Sequence, residues 1–218
     1  SERAHTRPAT TIIIGGSTVS ELEALAREIA HCTRCPLHKG RTRAVPGEGP
    51  ADAKIMFIGE APGFHEDQQG RPFVGAAGQF LEELLASIGF TRQQVFIANV
   101  IKCRPPGNRE PLPEEIEACS SFLERQIALI RPQFVVTLGR YSMARAFPKA
   151  RISQIHGQPR KLERVVYYPM YHPAAALHQP SLRRTIEEDM RRIPELLKQM
   201  EQLDDSPPPI GAEQLSLF

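Results

Sequence analysis

No apolar run in this sequence of 218 residues approaches the roughly 18 residues that a helix needs to cross a bilayer. The first residues also lack the basic segment followed by an apolar stretch that is typical of a secretory leader. The hydrophobic fraction of 41% is nevertheless ample for a buried core. We therefore expect a cytoplasmic, monomeric globular protein without a membrane segment, built from one α/β domain with tails.

Cysteine is scarce: the chain has only Cys32, Cys35, Cys103 and Cys119. Without secretory features there is little reason to expect disulfides, because reducing compartments keep thiols free. The spacing is C-x2-C, then 67 residues to the third cysteine and 15 more to the fourth. Two distant pairs around one site favour metal or cluster ligation, and the spacing alone suits a zinc ion as well as a cluster.

Net charge is small, at +2, but it is unevenly distributed along the chain. Residues 131–200 contain 13 Lys or Arg against 5 Asp or Glu. A basic surface suits a phosphate backbone, since binding there releases condensed counterions, although a solvated protein face can be equally basic. The charge pattern alone leaves both interpretations open.

Strand-like and helix-like segments alternate along the sequence. Four apolar or β-branched segments have the composition of buried strands, at 55–58, 95–100, 134–138 and 165–168. Helical patterns occur at 78–88, at 114–130, for a short stretch after Gly139, and at 182–203. The alternation predicts a three-layer α/β/α domain with a central four-stranded parallel sheet and right-handed crossovers.

The chain is predicted to have three parts. Residues 1–17 are a flexible leader without periodicity, and helical order begins where Thr18 and Glu21 form a capping-box pattern. The folded domain extends over residues 18–203. Residues 204–218 begin with Asp-Asp-Ser-Pro-Pro-Pro, a composition that favours an extended linker.

The most unusual segments follow the predicted strands, where ligands bind in parallel sheets of this class. The first strand is followed by GEAPG at 59–63, and the second leads into CRPPGNR at 103–109. The third is followed by Gly139 and the fourth by YHPAA at 171–175. All four segments should meet at one edge of the sheet.

These segments, together with the C-x2-C pair and GRPFVGAAG at 70–78, resemble the family 4 uracil-DNA glycosylases in order and spacing over roughly residues 21–197. The resemblance implies a nucleoid-associated enzyme that flips uracil from single- or double-stranded DNA and hydrolyses its N-glycosidic bond, which starts base excision repair. It also implies that the four cysteines ligate a structural 4Fe-4S cluster.

Uracil recognition requires a side chain that stacks on the base and another that reads its edge. The resemblance assigns stacking to Phe73 and assigns O4 and N3 to the Asn99 amide, with Gly59 and Ala61 lining the pocket. Cytosine would present the opposite donor and acceptor pattern to this amide. Without the shared spacing, Phe73 would be interpreted as a core residue and Asn99 as a strand-end cap.

Cleavage leaves negative charge on uracil and positive charge on the sugar. The resemblance implies that His172 donates to O2, although a His-Pro pair alone is typical of a turn. Glu60, assisted by Asn108, would orient water or stabilise the sugar cation. Ala61 stands where family 1 enzymes carry a water-positioning aspartate, so the general base is unassigned and a dissociative transition state with late water attack is expected.

Contacts to DNA are predicted for four arginines and one leucine. Arg104, Arg109, Arg140 and Arg183 would bind phosphates, together with backbone N–H groups of the glycine-rich loops. Leu177 is a candidate wedge that fills the space left by the flipped base, although a leucine in a helix after a strand is commonly a core residue.

The C-terminal residues Gln214, Leu215, Leu217 and Phe218 form the pattern Gln-Leu-x-Leu-Phe. This pattern resembles the peptide that bacterial polymerases and repair proteins insert into the sliding clamp. We expect the peptide to bind the clamp while the linker leaves the catalytic domain free to search DNA. The alternative is a terminus with chance apolar residues.

Two other functions fit parts of the pattern. A covalent trap for uracil-DNA would need a histidine in a basic insertion, but residues 107–111 contain none and Ala61 replaces the glutamine of that group. A non-catalytic iron-sulfur DNA-binding module would not need Glu60, Asn99 and His172 together. Their coexistence favours the enzyme.

Overall fold

The computed structural model describes residues 17–204, and its centre is one mixed sheet. The strands are β1 (Ile55–Gly59), β2 (Phe96–Asn99), β3 (Phe134–Leu138), β4 (Arg160–Leu162) and β5 (Val165–Met170). Their order in the sheet is β2-β1-β3-β5-β4. The four predicted strands are mutually parallel, as expected, whereas β4 pairs antiparallel with β5. This edge strand escaped prediction because its three residues, Arg-Lys-Leu, are exposed or half-buried and show no apolar run.

Eight helices surround the sheet within the described residues. They are α1 (Thr18–Ala30), α2 (Phe64–Gln69), α3 (Ala76–Ser87), α4 (Pro113–Ile130), α5 (Arg140–Met143), α6 (Ile152–Ile155), α7 (Pro173–His178) and α8 (Leu182–Asp204). With six and four residues, α2 and α6 are too short to show an apolar period. The capping-box prediction at Thr18 is wrong by one residue, because the N-cap is Ser17, whose side chain accepts from the Ser20 N–H at 3.4 Å.

Two apolar layers cover the sheet, one on each face. Met56 and Ile58 of β1 belong to a core shared with α1 and α4. Ile55 and Phe57 belong to the opposite core, which includes α3, α7 and α8. This alternation follows from the two-residue period of a strand and confirms the predicted three-layer architecture. No helix within residues 17–204 is both long and apolar enough to cross a membrane.

The register of the parallel strands brings their carboxyl ends to one edge. Gly59 lies opposite Asn99, and Leu138 lies opposite Met170. The residues that follow β1, β2 and β5 therefore converge, and the predicted site residues lie in this part of the molecule. The leader up to residue 16, the linker from residue 205 onward and the predicted clamp peptide lie outside the described residues.

Candidate active site

A cleft of about 790 Å³ opens at the carboxyl edge of the sheet. Glu60 and Ala61 line it from the segment after β1, Asn99 from the end of β2, and His172 from the segment after β5. Phe73, between α2 and α3, forms another part of the wall. Segments that are far apart in the sequence thus converge as the sequence predicts.

The Phe73 ring is held in place by its backbone and by two glycines. Phe73 adopts a φ of 52°, an unusual value for a bulky residue that the surrounding structure must maintain. Gly78 packs against the Phe73 backbone so closely that any Cβ there would overlap the carbonyl group. A Cβ at Gly59 would lie 2.7 Å from the Phe73 ring and would also collide with the Asn99 amide. The two glycines therefore allow ring and amide to share one small space.

His172 lines the cleft with a buried imidazole that favours the neutral form. It is the N-cap of α7, and its Nδ1 accepts from the Ala174 N–H at 3.1 Å, which leaves the proton on Nε2. Burial lowers the pKa of His172 to about 4, and the Glu66 carboxylate opposes this effect only in part. The imidazole ring stacks on the Phe73 ring with centroids 5.4 Å apart and an interplanar angle of 24°.

Asn99 presents an unsatisfied amide oxygen to the cleft. The residue is 2% exposed, and its Oδ1 has no hydrogen-bond partner among the described residues. Its backbone is fixed, because the Lys102 Nζ donates to the Asn99 carbonyl at 2.9 Å. A buried polar atom without a partner costs about 1 to 3 kcal/mol. The amide is therefore prepared for a ligand that donates a hydrogen bond.

Glu60 occupies an environment that favours its neutral form. Burial raises the pKa of Glu60, the nearby Glu110 carboxylate adds to the effect, and Arg140 opposes it. Arg140 is ion-paired with Glu110, which also accepts from the Tyr141 hydroxyl at 2.9 Å. A carboxylate in this setting binds a proton or a nearby positive charge more strongly than an exposed one.

Asn108 lies at the mouth of the cleft, in a turn, with a φ of 54°. Its Oδ1 accepts from the Arg104 Nε at 2.6 Å. This contact ties Asn108 to the loop after β2. The predicted assistance to Glu60 would have to come through the remaining amide group.

Three of the four predicted phosphate-binding arginines have glutamate partners. Arg109 lines the cleft but forms a double hydrogen bond with Glu115 at 2.6 and 2.9 Å. Arg183 of α8 is paired with Glu83 at 2.7 Å and with Glu187 at 3.0 Å, and Arg140 is paired with Glu110. Glu187 is the i+4 neighbour of Arg183 on α8, whereas Glu83 and Glu110 are distant from their arginines in the sequence. All of these pairs reduce the positive charge available to a phosphate. Leu177, 50% exposed on α7, does lie at the surface rather than in the core.

Two residues that the sequence analysis missed hold the Phe73 segment. Glu66 Oε1 accepts from the Val74 and Gly75 N–H groups, both at 2.9 Å, and its Oε2 accepts from the Gly63 N–H at 3.1 Å. Arg92 donates to the carbonyls of Phe73 and Pro72 at 2.9 and 2.7 Å. The only local signal was the position of Glu66 three residues after Gly63, which is typical of helix capping.

The four cysteines line a second, smaller cavity next to α1 and α4. Cys103 and Cys119 are buried, and all four thiols are free of disulfides. Burial raises the pKa of Cys103, and it raises the pKa of Cys119 to about 11. Arg41 Nη1 donates to Cys103 Sγ at 3.1 Å. The predicted convergence of the two cysteine pairs is thus present in the fold.

Comparison with known proteins identifies a family. The family model for the uracil DNA glycosylase superfamily matches residues 46–201. The type-4 uracil-DNA glycosylase of Sulfurisphaera tokodaii is 48% identical over 82% of this chain and 86% of its own length. Those of Archaeoglobus fulgidus and Thermotoga maritima are 47% and 43% identical, over 94% and 95% of their own lengths and 82% and 81% of this chain.

The residues matched by the family model include the whole sheet and the cleft, and the relatives agree with the resemblance that the motifs indicate. The chain therefore belongs to the uracil DNA glycosylase superfamily, within its type-4 group.

Proposed function

We propose that this chain flips uracil out of DNA and hydrolyses its N-glycosidic bond, leaving an abasic site in an unbroken strand. The observation that carries this proposal is the buried Asn99 amide, whose Oδ1 lacks a partner and which shares with the Phe73 ring the space beside Gly59. An aromatic face and an unsatisfied amide in one cleft are what an extruded base requires.

The Asn99 amide selects uracil over cytosine by its donor and acceptor pattern. Uracil donates from N3 to Oδ1 and accepts at O4 from the amide NH2 group. Cytosine would oppose two acceptors at one position and two donors at the other. Because buried groups left unpaired in this way are costly, a site of this kind discriminates strongly. Gly59 lets the amide and the ring come close enough to act on the same base.

Departure of the base is assisted by His172 on one side and by Glu60 on the other. The Nε2–H of a neutral His172 donates to uracil O2, where negative charge develops as the bond to the sugar lengthens. Glu60, in its anionic form, stabilises the sugar cation or orients the attacking water. No lysine nucleophile is required, and the strand remains uncut.

Release of free uracil from short oligonucleotides tests this function. Substrates that contain a single uracil, thymine or hypoxanthine would be incubated with the protein, and the products separated before and after alkaline cleavage. We expect release of uracil alone, with strand breaks only after alkali. A His172→Ala preparation controls for contaminating glycosylase. Intact uracil substrate, or hypoxanthine released at the same rate, would overturn the proposal.

The rate of excision should fall at acid pH. In the Glu60→Gln variant, the part of this decrease that begins at the higher pH should be absent. Burial raises the pKa of Glu60 above its ordinary value of 4.5, so the anion is lost at a pH where His172, with a pKa of about 4, is still neutral. Single-turnover rates between about pH 4 and 8 measure this dependence. If Glu60→Gln is slower but its rate falls at acid pH in the same way as that of the unmodified protein, another group causes the fall.

We also propose that the four cysteines hold a 4Fe-4S cluster. They supply the four thiolates that such a cluster needs, and the cavity directs N–H donors at three of the sulfurs, from Arg34, Arg41 and Lys102. Within residues 17–204 no three His, Cys, Asp or Glu side chains converge closely enough for a single ion. A zinc ion would need the sulfurs about 2.3 Å from one point, and metal analysis of the native protein distinguishes it from a cluster. When bound, the cluster would cross-link α1 to the loop after β2.

Leu177 is proposed as the wedge in duplex DNA. It lies on α7, which begins directly after His172, and its side chain is half exposed. Insertion at the place of the extruded nucleotide would replace the lost stacking and slow the return of the base. The four predicted arginines remain proposed phosphate ligands, and three of them would have to exchange a glutamate for a phosphate.

Binding to the bacterial sliding clamp is proposed for Gln214, Leu215, Leu217 and Phe218. Leu217 and Phe218 would fill an apolar groove while Gln214 bonds its rim. Deletion of residues 214–218 should abolish an affinity in the micromolar range, while activity on short oligonucleotides is retained. Calorimetry with the cognate clamp measures this, with the Gln214→Ala variant as a milder step. Equal binding by the full-length and truncated proteins would rule out the peptide.

A further inference from the structure

An aromatic side chain stands exposed at the mouth of the cleft. Phe64, the first residue of α2, is 51% exposed and lines the cleft. Single exposed apolar residues are common on proteins and carry little meaning by themselves. Phe64 differs from such residues because it lies beside the proposed site of base recognition and because of the charged groups around it.

The backbone that carries Phe64 is fixed by two acidic side chains. Glu66 Oε2 accepts from the Gly63 N–H at 3.1 Å, directly before Phe64. Asp67, 2% exposed, accepts from the Thr42 N–H with both carboxylate oxygens, at 2.9 and 3.1 Å. The ring is therefore presented on a rigid support, which reduces the entropy lost when a ligand stacks on it.

A cation lies over one face of the exposed ring, so a base would stack on the other face. The guanidinium carbon of Arg104 is 5.2 Å from the Phe64 ring centroid. Its Nε is used by Asn108, but no carboxylate forms an ion pair with Arg104 among the side chains that the structure describes. Arg109, Arg140 and Arg183 all have such partners. Arg104 thus differs from the other predicted phosphate ligands in keeping its positive charge uncompensated.

We propose that Phe64 and Arg104 form a second nucleotide subsite, which binds an unpaired nucleotide next to the extruded uracil. The base stacks on the Phe64 ring and its phosphate pairs with Arg104, a combination used by proteins that bind single strands. The inference rests on the proposed glycosylase function, because it needs the DNA strand to enter the cleft. Phe64 lines the same cleft as the residues proposed to recognise uracil, and this favours a nucleobase over a protein as its partner.

The subsite distinguishes single-stranded from duplex DNA. In a duplex the neighbours of the uracil are stacked and paired, so occupation of the Phe64 ring requires further unpairing. In a single strand or beside a mismatch the neighbouring base is available. Phe64 therefore contributes affinity for unpaired substrates, whereas Leu177 contributes where a flipped base leaves a hole in a duplex.

Binding of oligonucleotides with a missing base tests the subsite. Single strands would carry one 2′-fluoro-2′-deoxyuridine, whose fluorine destabilises the developing sugar cation and so prevents cleavage. The nucleotide on its 5′ or 3′ side would be either thymidine or an abasic tetrahydrofuran. Dissociation constants would be measured for the unmodified protein and for the Phe64→Ala, Phe64→Tyr and Val19→Ala variants. Val19 is a matched control because it is 54% exposed, on α1.

We expect removal of the base on one side to weaken binding to the unmodified protein by about tenfold, the scale of one base–aromatic stack. Phe64→Ala should bind the intact strand about tenfold more weakly and be insensitive to the missing base, while Phe64→Tyr and Val19→Ala should behave like the unmodified protein. The subsite would be overturned if the missing base weakened binding to Phe64→Ala and to the unmodified protein equally, at the 5′ position and at the 3′ position.

The two proposals fail separately. Uracil excision by the unmodified protein, measured on cleavable oligonucleotides, is independent of the coupling measurement. Excision without coupling between Phe64 and a neighbouring base overturns only the subsite. Absence of excision overturns the proposed function and, with it, the subsite.

Discussion

The His172→Ala variant should excise uracil at least about 10²-fold more slowly than the unmodified protein in single-turnover experiments. The change removes the Nε2–H that, in the proposed function, donates to O2 of the departing base. Because burial holds the pKa of His172 at about 4, the group acts as a neutral donor at neutral pH. The loss should therefore be nearly constant from about pH 6 to 8, with no step near the ordinary histidine pKa.

Alanine also removes the N-cap of α7, since His172 Nδ1 accepts from the Ala174 N–H. Loss of a cap costs about 1 kcal/mol of stability. The His172→Asn variant separates the two roles, because asparagine is a good N-cap but is too short to place a donor where Nε2 lies. We expect His172→Asn to retain the thermal stability and to lose the rate. Full turnover by both variants would show that the donor is another group.

Replacing Cys103 or Cys119 by alanine should remove the cluster and the solubility of the protein together. Cys103 is buried in the loop after β2 and Cys119 is buried on α4, and loss of either thiolate deprives the proposed cluster of one of its four ligands and these segments of their cross-link. Protein purified without oxygen should contain about four irons per chain and absorb in the visible range. Elemental analysis and the temperature of unfolding measure the two losses.

A packing control distinguishes loss of a ligand from loss of volume. Leu37 is 4% exposed and lines the same cavity, so Leu37→Ala should lower stability by about 2 to 5 kcal/mol while retaining iron. Stoichiometric zinc in place of iron in the native protein would refute the cluster. Iron retained at full occupancy in Cys119→Ala would remove that residue from the ligand set.

The central strands could be predicted because each is an apolar segment buried on both faces. All five residues of β1 and all five of β3 are buried, and such segments stand out in any sequence. β4 carries no such signal, because it is a polar edge strand that forms only when β5 offers an unpaired side. The N-cap at Ser17 was missed because Thr18 is equally suitable as a cap, and only the backbone geometry decides between neighbours.

The site was predictable where a residue type and a strand end coincide. The strand ends predicted where Asn99 and His172 lie, and the structure places both in the cleft with Phe73, whereas their roles were predicted only by the family resemblance. The hydrogen bonds between Glu66 and the Val74 and Gly75 N–H groups could not be predicted, because these residues approach Glu66 only through the turn between α2 and α3. Positive charge was overestimated for a related reason. Glu110, which pairs with Arg140, is 30 residues away in the sequence, and Glu83, one of the two partners of Arg183, is 100 residues away.

The hydrogen bonds that Glu66 accepts have a consequence for how the cleft opens. Glu66 Oε2 accepts from the Gly63 amide at the start of α2, and Oε1 accepts from the Val74 and Gly75 amides. The segment that carries Phe73 therefore cannot move away from α2 without breaking the two hydrogen bonds to Oε1 together. Amides that open together exchange their protons with solvent at one common free energy. We therefore expect the Val74 and Gly75 amides to exchange together, in one opening that moves the Phe73 wall of the cleft away from the rim that carries Phe64.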